Sequence, residues 1–172
     1  HDSVRSQALR QELIAESGGK RYLVGFSWTS TNPYVGDDKT VPLAELLDAL
    51  NVPGVGLVNL QYGEHAESIA QASRAAGVEV LESSAIDRTD DLAGMCDLIA
   101  GLDMVVCIGH TTAHLAGGLG VPNLVLVPSS PFPHWLGSGE ACVWYPHSRI
   151  LRQPTGARGD WSAPLACAQQ YL

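Results

Sequence analysis

The sequence is poor in basic residues and in charge as a whole. Only 16% of its 172 residues are charged, lysine occurs only as Lys20 and Lys39, and the formal net charge is −8. Without a basic cluster the chain lacks the surface that binds nucleic acid non-specifically, so we expect no nucleic-acid partner. An anionic small ligand is compatible with this charge, because one helix N-terminus can bind phosphate inside an acidic protein.

Long apolar runs and paired cysteines are missing as well. No run approaches the length that crosses a bilayer, so we expect no membrane span. The polar start does not look like a signal peptide, and the four cysteines form no CxxC pair. A reducing, cytoplasmic location is the simplest fit. The hydrophobic share of 45% is enough for one globular domain with its own core.

Three motifs of catalysis and cofactor binding are absent. The glycines after His114 come too late in their helix to form the GxGxxG loop of dinucleotide-binding domains. His110 and His114 are four residues apart, but the HExxH zinc motif requires Glu where this chain has Thr111. No GxSxG segment marks a nucleophilic serine. We therefore expect neither a metal ion nor covalent catalysis.

The sequence does contain a regular alternation of strand and helix patterns. Strands are predicted at residues 22–26, 56–60, 78–81, 104–108, 123–127 and 150–151, and helices at residues 4–16, 42–50, 64–76, 92–100, from 111 or 112, and 161–172. This predicts an α/β fold: a doubly wound, mainly parallel, Rossmann-like sheet with helices on both faces. Residues 1–19 form an N-terminal helix or linker in this prediction, and residues 20–172 form the Rossmann-like domain. Residues 27–38 and 128–146 are predicted loops.

The segment MVVCIGHTTAHLAGGLGVP combines a buried strand, a turn at Gly109 and His110, and a helix that starts at two threonines. The helix dipole and the first backbone N–H groups favour an anion there, with Thr111 and Thr112 as hydroxyl donors. This arrangement favours a phosphate or pyrophosphate as its ligand. A plain strand–helix corner with a threonine cap is the alternative interpretation.

Other polar residues follow the first two strands, at the same predicted edge of the sheet. The hydroxyls of Ser27 and Thr29 are placed to reach a phosphate, and Trp28 either walls the pocket or packs in the core. Glu64 and Glu67 are candidates for binding ribose hydroxyls. Their alternative role is to stabilise a helix N-terminus by charge.

An aromatic cluster stands in the long loop after the fifth strand. It consists of His134, Trp135, Trp144 and Tyr145. It forms either a hinge or wall toward an acceptor, or a small satellite core that fixes the loop.

Five segments, in order, carry a resemblance to a known family: VGFSWTS, VNLQYGE, LIAGLDMVVCIGHTTAHLAGGLGVPNLVLVP, PHWLGSGEACVWYPHSRILRQP and GDW. From about residue 21 to its end the chain resembles the carboxyl-terminal half of heptosyltransferase-like glycosyltransferases of family nine. It looks most like bacterial versions that are often attached to tetratricopeptide repeats. The resemblance implies one half of a two-domain, B-type glycosyltransferase.

The resemblance also implies roles for single residues. Heptosyltransferases use a lysine at the place of Lys39 against phosphate, whereas a solvated surface lysine is the alternative. His114 matches a family histidine that lies near the pyrophosphate or braces the helix, against the alternative of a half-buried packing role. The family has an Asp-Thr pair where this chain has Gly109-His110. His110 is then a replacement donor to phosphate.

The implied function is that of the nucleotide-sugar donor-binding domain of an inverting glycosyltransferase. The partner would be a nucleoside diphosphate sugar, and no metal would be needed if the helix N-terminus stabilises the leaving diphosphate. The catalytic base would come from a missing N-terminal acceptor domain, so the fragment would be inactive alone, and a repeat domain is a further expected neighbour. A non-catalytic nucleotide-binding or scaffold module is the alternative, and an epimerase of B-type fold is a third interpretation.

Overall fold

The computed structural model describes residues 1–34, 36–131, 133–135, 137 and 139–172. In these ranges the strands are β1 Tyr22–Ser27, β2 Val55–Asn59, β3 Val80–Leu81, β4 Met104–Ile108, β5 Asn123–Val127 and β6 Ser148–Arg152. The α-helices are α1 Ser3–Glu16, α2 Gly36–Lys39, α3 Leu43–Leu50, α4 Ala66–Ala76, α5 Leu92–Ala100, α6 Thr111–Leu119 and α7 Ser162–Gln169, and a 3₁₀ turn spans Pro133–Trp135. None of the helices described is long and apolar enough to cross a membrane.

The six strands form one sheet in the order β3-β2-β1-β4-β5-β6, and every neighbouring pair is parallel. This confirms the predicted doubly wound α/β fold. The strand order reverses between β1 and β4, where Ser27 pairs with Cys107. Ligands of such sheets bind at the carboxyl edge beside this reversal. The segments after β1 and β4 therefore meet where the sequence places the anion site.

Helices cover both faces of the sheet. One core lies under α1, α5 and α6, and the other lies under α3, α4 and α7. Representative buried side chains are Leu13, Ile99 and Ala116 on the first face and Leu47, Ile69 and Leu165 on the second. Because both faces are covered, β2, β4 and β5 are buried along their whole length.

The predicted N-terminal helix packs on the domain as α1. Asp2 caps it by accepting the backbone N–H of Val4 at 2.8 Å, and Leu13 is buried in the core. Arg10 ties the helix to the sheet by donating to the Asp103 carboxylate at 2.9 Å and to the Gly101 carbonyl at 2.7 Å. Helix α1 therefore belongs to the packed body of the domain.

Several boundaries differ from the prediction because tertiary contacts set them. A one-turn helix, α2, interrupts the predicted loop 27–38, since four residues are too few to show a helical period. Strand β6 runs for five residues rather than two, because it pairs with β5 along its whole length. Helix α4 begins at residue 66 rather than 64, with His65 as its N-cap.

Candidate functional site

The N-terminus of α6 is capped by an imidazole. His110 has extended backbone angles, and its Nδ1 accepts the backbone N–H of Thr112 at 3.1 Å. Helix α6 starts at Thr111, as predicted, but the cap is His110 and not a threonine hydroxyl. Because Nδ1 is an acceptor, the proton of the neutral ring lies on Nε2, which makes that nitrogen a donor.

Lys39 reaches this corner from α2. Its side chain is only 8% exposed, and its Nζ donates to the carbonyl oxygen of Gly109 at 3.2 Å. Burial lowers the pKa of the Lys39 amine below its ordinary value. Lys39 is thus a buried residue of the candidate site, and the alternative of a solvated surface lysine is wrong.

The imidazoles of this corner are poor proton acceptors. Burial, together with the positive charge of Lys39 and the neighbouring His114, lowers the pKa of His110 to about 4. Burial, His134 and Lys39 lower the pKa of His114 as well. Both rings are therefore neutral at pH 7, and His110 contributes a donor without needing a charge.

Trp135 explains why glycine stands at position 109. A Cβ at Gly109 would lie 2.5 Å from Nε1 and 2.9 Å from Cδ1 of the Trp135 indole. These distances are too short for non-bonded atoms, so any side chain at this position would displace the ring. An indole thus fills the space that a side chain of residue 109 would need.

The rest of the predicted aromatic cluster divides in two. His114 stacks on Trp135 with ring centroids 4.9 Å apart and rings tilted by 23°, and its Nδ1 lies 3.0 Å from the Tyr145 hydroxyl oxygen. The ring centroid of His134 is 5.2 Å from that of His114. Trp144, by contrast, is 65% exposed. His114 is thus both a packing residue and a hydrogen-bonded brace.

A cleft of about 230 Å³ lies at the α6 N-terminus. Thr111 and Thr112 lie on its wall. Its other lining residues are Leu60, Tyr62, Arg88, Thr89, Leu92, Met95 and Leu115. One wall therefore offers hydroxyls at a helix N-terminus, while the remaining surface is largely apolar.

Arg88 and Tyr62 are site residues that the sequence analysis missed. Arg88 donates from Nε to the carbonyl oxygen of Gln61 at 3.1 Å and from Nη2 to Glu82 at 3.4 Å. The Tyr62 ring meets His110 edge-on at 6.0 Å between centroids. Arg88 is the single cation within an acidic loop, and that isolation was its only signal in the sequence.

Of the predicted site residues, Thr111 and Thr112 are the ones among the described residues that line this cleft. The Ser27 hydroxyl is buried at the end of β1 with no hydrogen-bond partner among the described residues, and the Thr29 hydroxyl lies 2.9 Å from that of Thr40. Glu64 and Glu67 are exposed and do not line the cleft, so their ribose role stays a prediction. Trp28 is 5% exposed and packs in the core.

The corner as a whole presents hydrogen-bond donors. Lys39, His110, Arg88 and the two threonines surround the positive end of the α6 dipole. Such a set suits a group with several anionic oxygens. Within the described ranges no cluster of three or more His, Cys, Asp or Glu side chains is arranged to hold a metal ion.

Comparison with known proteins finds a relative in sequence and several solved structures that share the fold. No family model matches the chain. The chain is 40% identical over 116 residues to the protein FlbA of Caulobacter vibrioides, a match covering 67% of this chain and 19% of FlbA. Its structure is similar to that of the ADP-heptose LPS heptosyltransferase II of E. coli, with a TM-score of 0.66, 16% identity and coverage of 96% of this chain and 50% of that one.

Two further solved structures are similar. The E. coli heptosyltransferase WaaC with ADP has a TM-score of 0.63 at 21% identity, covering 94% of this chain and 47% of WaaC. A family 9 glycosyltransferase of Veillonella parvula has a TM-score of 0.61 at 16% identity, covering 86% and 40%. The chain thus spans half or less of each solved structure and about a fifth of its curated relative. At these identities the solved structures establish a shared fold.

Proposed function

We propose that this chain is the nucleotide-sugar donor-binding domain of an inverting glycosyltransferase of the heptosyltransferase type. The observation that carries the proposal is the N-terminus of α6, where Lys39 donates to the carbonyl oxygen of Gly109 and where Arg88, Thr111 and Thr112 line a cleft. The diphosphate of the ligand binds at this helix terminus, because the dipole and the surrounding donors all favour anionic oxygens. WaaC, which shares the fold, was solved with ADP and with ADP-2-deoxy-2-fluoro heptose.

In the proposed reaction the acceptor hydroxyl displaces the diphosphate directly from the anomeric carbon. Donors at the α6 N-terminus stabilise the charge that develops on the leaving diphosphate, and no metal is required. In this proposal the chain is part of a longer protein, and the base that deprotonates the acceptor lies in an acceptor domain of that protein. A tetratricopeptide-repeat segment of the same protein is also proposed. The chain by itself then binds the donor without turning it over.

A second candidate is a nucleotide-binding module that has lost catalysis. It is favoured by Gly109, which stands where the resemblance leads one to expect an aspartate that helps to hold the donor. The Trp135 indole packs against this glycine, since a Cβ there would lie 2.5 Å from its Nε1. A site without that carboxylate can still bind a diphosphate through the α6 N-terminus.

Calorimetry followed by product analysis tests both candidates. The chain is titrated with ADP, UDP, GDP and CDP, and the proposal expects saturable one-to-one binding of at least one of them. Absence of binding at millimolar concentration refutes both candidates. NMR of the products formed by the full-length protein from the matching nucleotide sugar then separates them, because sugar transfer supports the enzyme and an unchanged donor supports the binding module.

A further inference from the structure

Trp135 is a buried donor without an acceptor. The side chain is 2% exposed, and its Nε1 has no hydrogen-bond partner in the portion of the chain that the structure describes. Trp161, which is 1% exposed, shows the usual arrangement, since its Nε1 donates to the carbonyl oxygen of Thr40 at 3.0 Å. Buried N–H groups are nearly always satisfied, so the Trp135 indole requires an explanation.

A second donor in the same condition lies at the same corner. The Nε2 of His110 is also buried without a partner among the described residues, and it carries the proton because Nδ1 is an acceptor. Gly109 links the two residues: it precedes His110 in the chain, and the Trp135 indole packs directly on it. Both unsatisfied donors therefore belong to residues that contact or adjoin Gly109, which makes them candidates for one shared external acceptor group.

We propose that the indole N–H of Trp135 donates a hydrogen bond to a phosphate oxygen of the bound nucleoside diphosphate, together with Nε2–H of His110. This inference rests on the proposed function and adds a ligand-binding residue to its site. A phosphate group suits the pair, because its oxygens accept several hydrogen bonds at once and strengthen them by their charge.

Two contacts of Trp135 hold its loop in place while the indole binds the ligand. Arg152 holds the backbone of the 3₁₀ turn by donating to the Trp135 carbonyl oxygen at 2.9 Å, and His114 stacks on the ring. Both unpartnered nitrogens are buried, so the inference requires the Trp135 ring to move between these two supports when the phosphate binds. The indole N–H of Trp135 thereby supplies a polar contact that Gly109, which has no side chain, does not make.

The four tryptophans of the chain make the inference directly measurable by NMR. A ¹⁵N-labelled sample gives one indole N–H signal per tryptophan, and W135F identifies the signal of Trp135; triple-resonance assignment of the unmodified protein serves if W135F does not fold. On titration with ADP we expect the Trp135 indole proton to move downfield while that of Trp161 stays in place. Adenosine, which lacks the diphosphate, leaves the Trp135 signal unchanged.

Calorimetry with matched variants completes the test. W135F is expected to weaken ADP binding about ten- to a hundredfold, the loss typical of one hydrogen bond to a charged group. W144F, the same change at a 65% exposed tryptophan, leaves the affinity unaltered. Binding of ADP with an unmoved Trp135 signal, or with equal affinity for W135F, overturns the inference while the proposed function stands. Failure of all four nucleoside diphosphates to bind overturns both.

Discussion

Gly109→Ala should destabilise the protein, although replacing glycine by alanine usually raises the free energy of unfolding where the backbone conformation permits it. The φ angle of Gly109 is not in the left-handed region, so packing alone excludes a side chain. The added Cβ would meet three atoms of the Trp135 ring at 2.5, 2.9 and 3.2 Å. Overpacking of this kind costs about 1–3 kcal/mol. In the opposite direction, alanine lowers the conformational entropy of the unfolded chain, which stabilises the folded protein by about 0.4–1 kcal/mol.

The net loss for Gly109→Ala therefore lies between about 0 and 2.6 kcal/mol, with a central value of about 1.3 kcal/mol. For a chain of this size the central value corresponds to a fall in Tm of about 3–5 °C. Urea unfolding at pH 7 and thermal unfolding measure it. Gly118→Ala is the matched control, because a Cβ there meets nothing within 4 Å and the position is helical, so a gain of about 0.5–1 kcal/mol is expected.

A double-mutant cycle identifies the cause. Trp135→Ala removes the indole, at a cost of about 3–5 kcal/mol, and leaves room for a side chain at position 109. In that background Gly109→Ala should be neutral or stabilising by about 0.4–1 kcal/mol. An equal loss from Gly109→Ala with and without the indole would refute the packing argument.

Three further predictions concern α1 and the charged corner. Leu13→Ala should cost about 2–5 kcal/mol in urea unfolding if α1 is part of the core, whereas Val4→Ala, at a 76% exposed position, should change little; equal small effects would show that α1 is not packed. Because the folded pKa of His110, about 4, lies below the unfolded value, the unfolded state binds more protons between pH 6.5 and 4, so stability should fall by about 2 kcal/mol from pH 7 to pH 5. His110→Asn should flatten that dependence, and an unchanged slope would contradict the assignment. Lys39→Met should leave Tm nearly unchanged, because the buried charge is already penalised, but weaken ADP binding about ten- to a hundredfold by calorimetry; unaltered affinity would remove Lys39 from the site.

The fold was predictable because its signals are local. Each strand of the sheet is a short apolar run, and the helix ends carry their own markers, such as Gly120, which ends α6 in a left-handed conformation with φ 73°. Alternation of these elements along the chain dictates a parallel sheet, since parallel strands require crossover helices. The one-turn helix α2, the start of α4 and the full length of β6 could not be predicted from the sequence, because short elements and element ends depend on tertiary contacts.

The candidate site could be placed from the sequence only where its residues are close in sequence or carry the resemblance. The structure brings Lys39 to the carbonyl oxygen of Gly109, next to His110, and the ligand-binding roles of these residues stay predictions. The contact of Trp135 with Gly109 joins residues from the loops after two different strands, and Arg88 reaches the cleft from the loop after β3. The imidazole cap was also hidden, because the neighbouring threonines are better caps by residue type. Such contacts depend on packing across the sheet edge, which residue spacing does not encode.

The most direct test is a calorimetric titration of ADP into the unmodified chain and into the double variant T111V/T112V. The substitutions remove both hydroxyls from the cleft wall and keep their branched shape, while the His110 cap, which uses a backbone N–H, is retained. The proposal expects saturable binding to the unmodified chain and a loss of about tenfold or more in the variant, with no loss in T155V, which changes an exposed threonine that does not line the cleft. Equal affinity of the double variant and the unmodified chain would place the ligand elsewhere and contradict a diphosphate site at the N-terminus of α6.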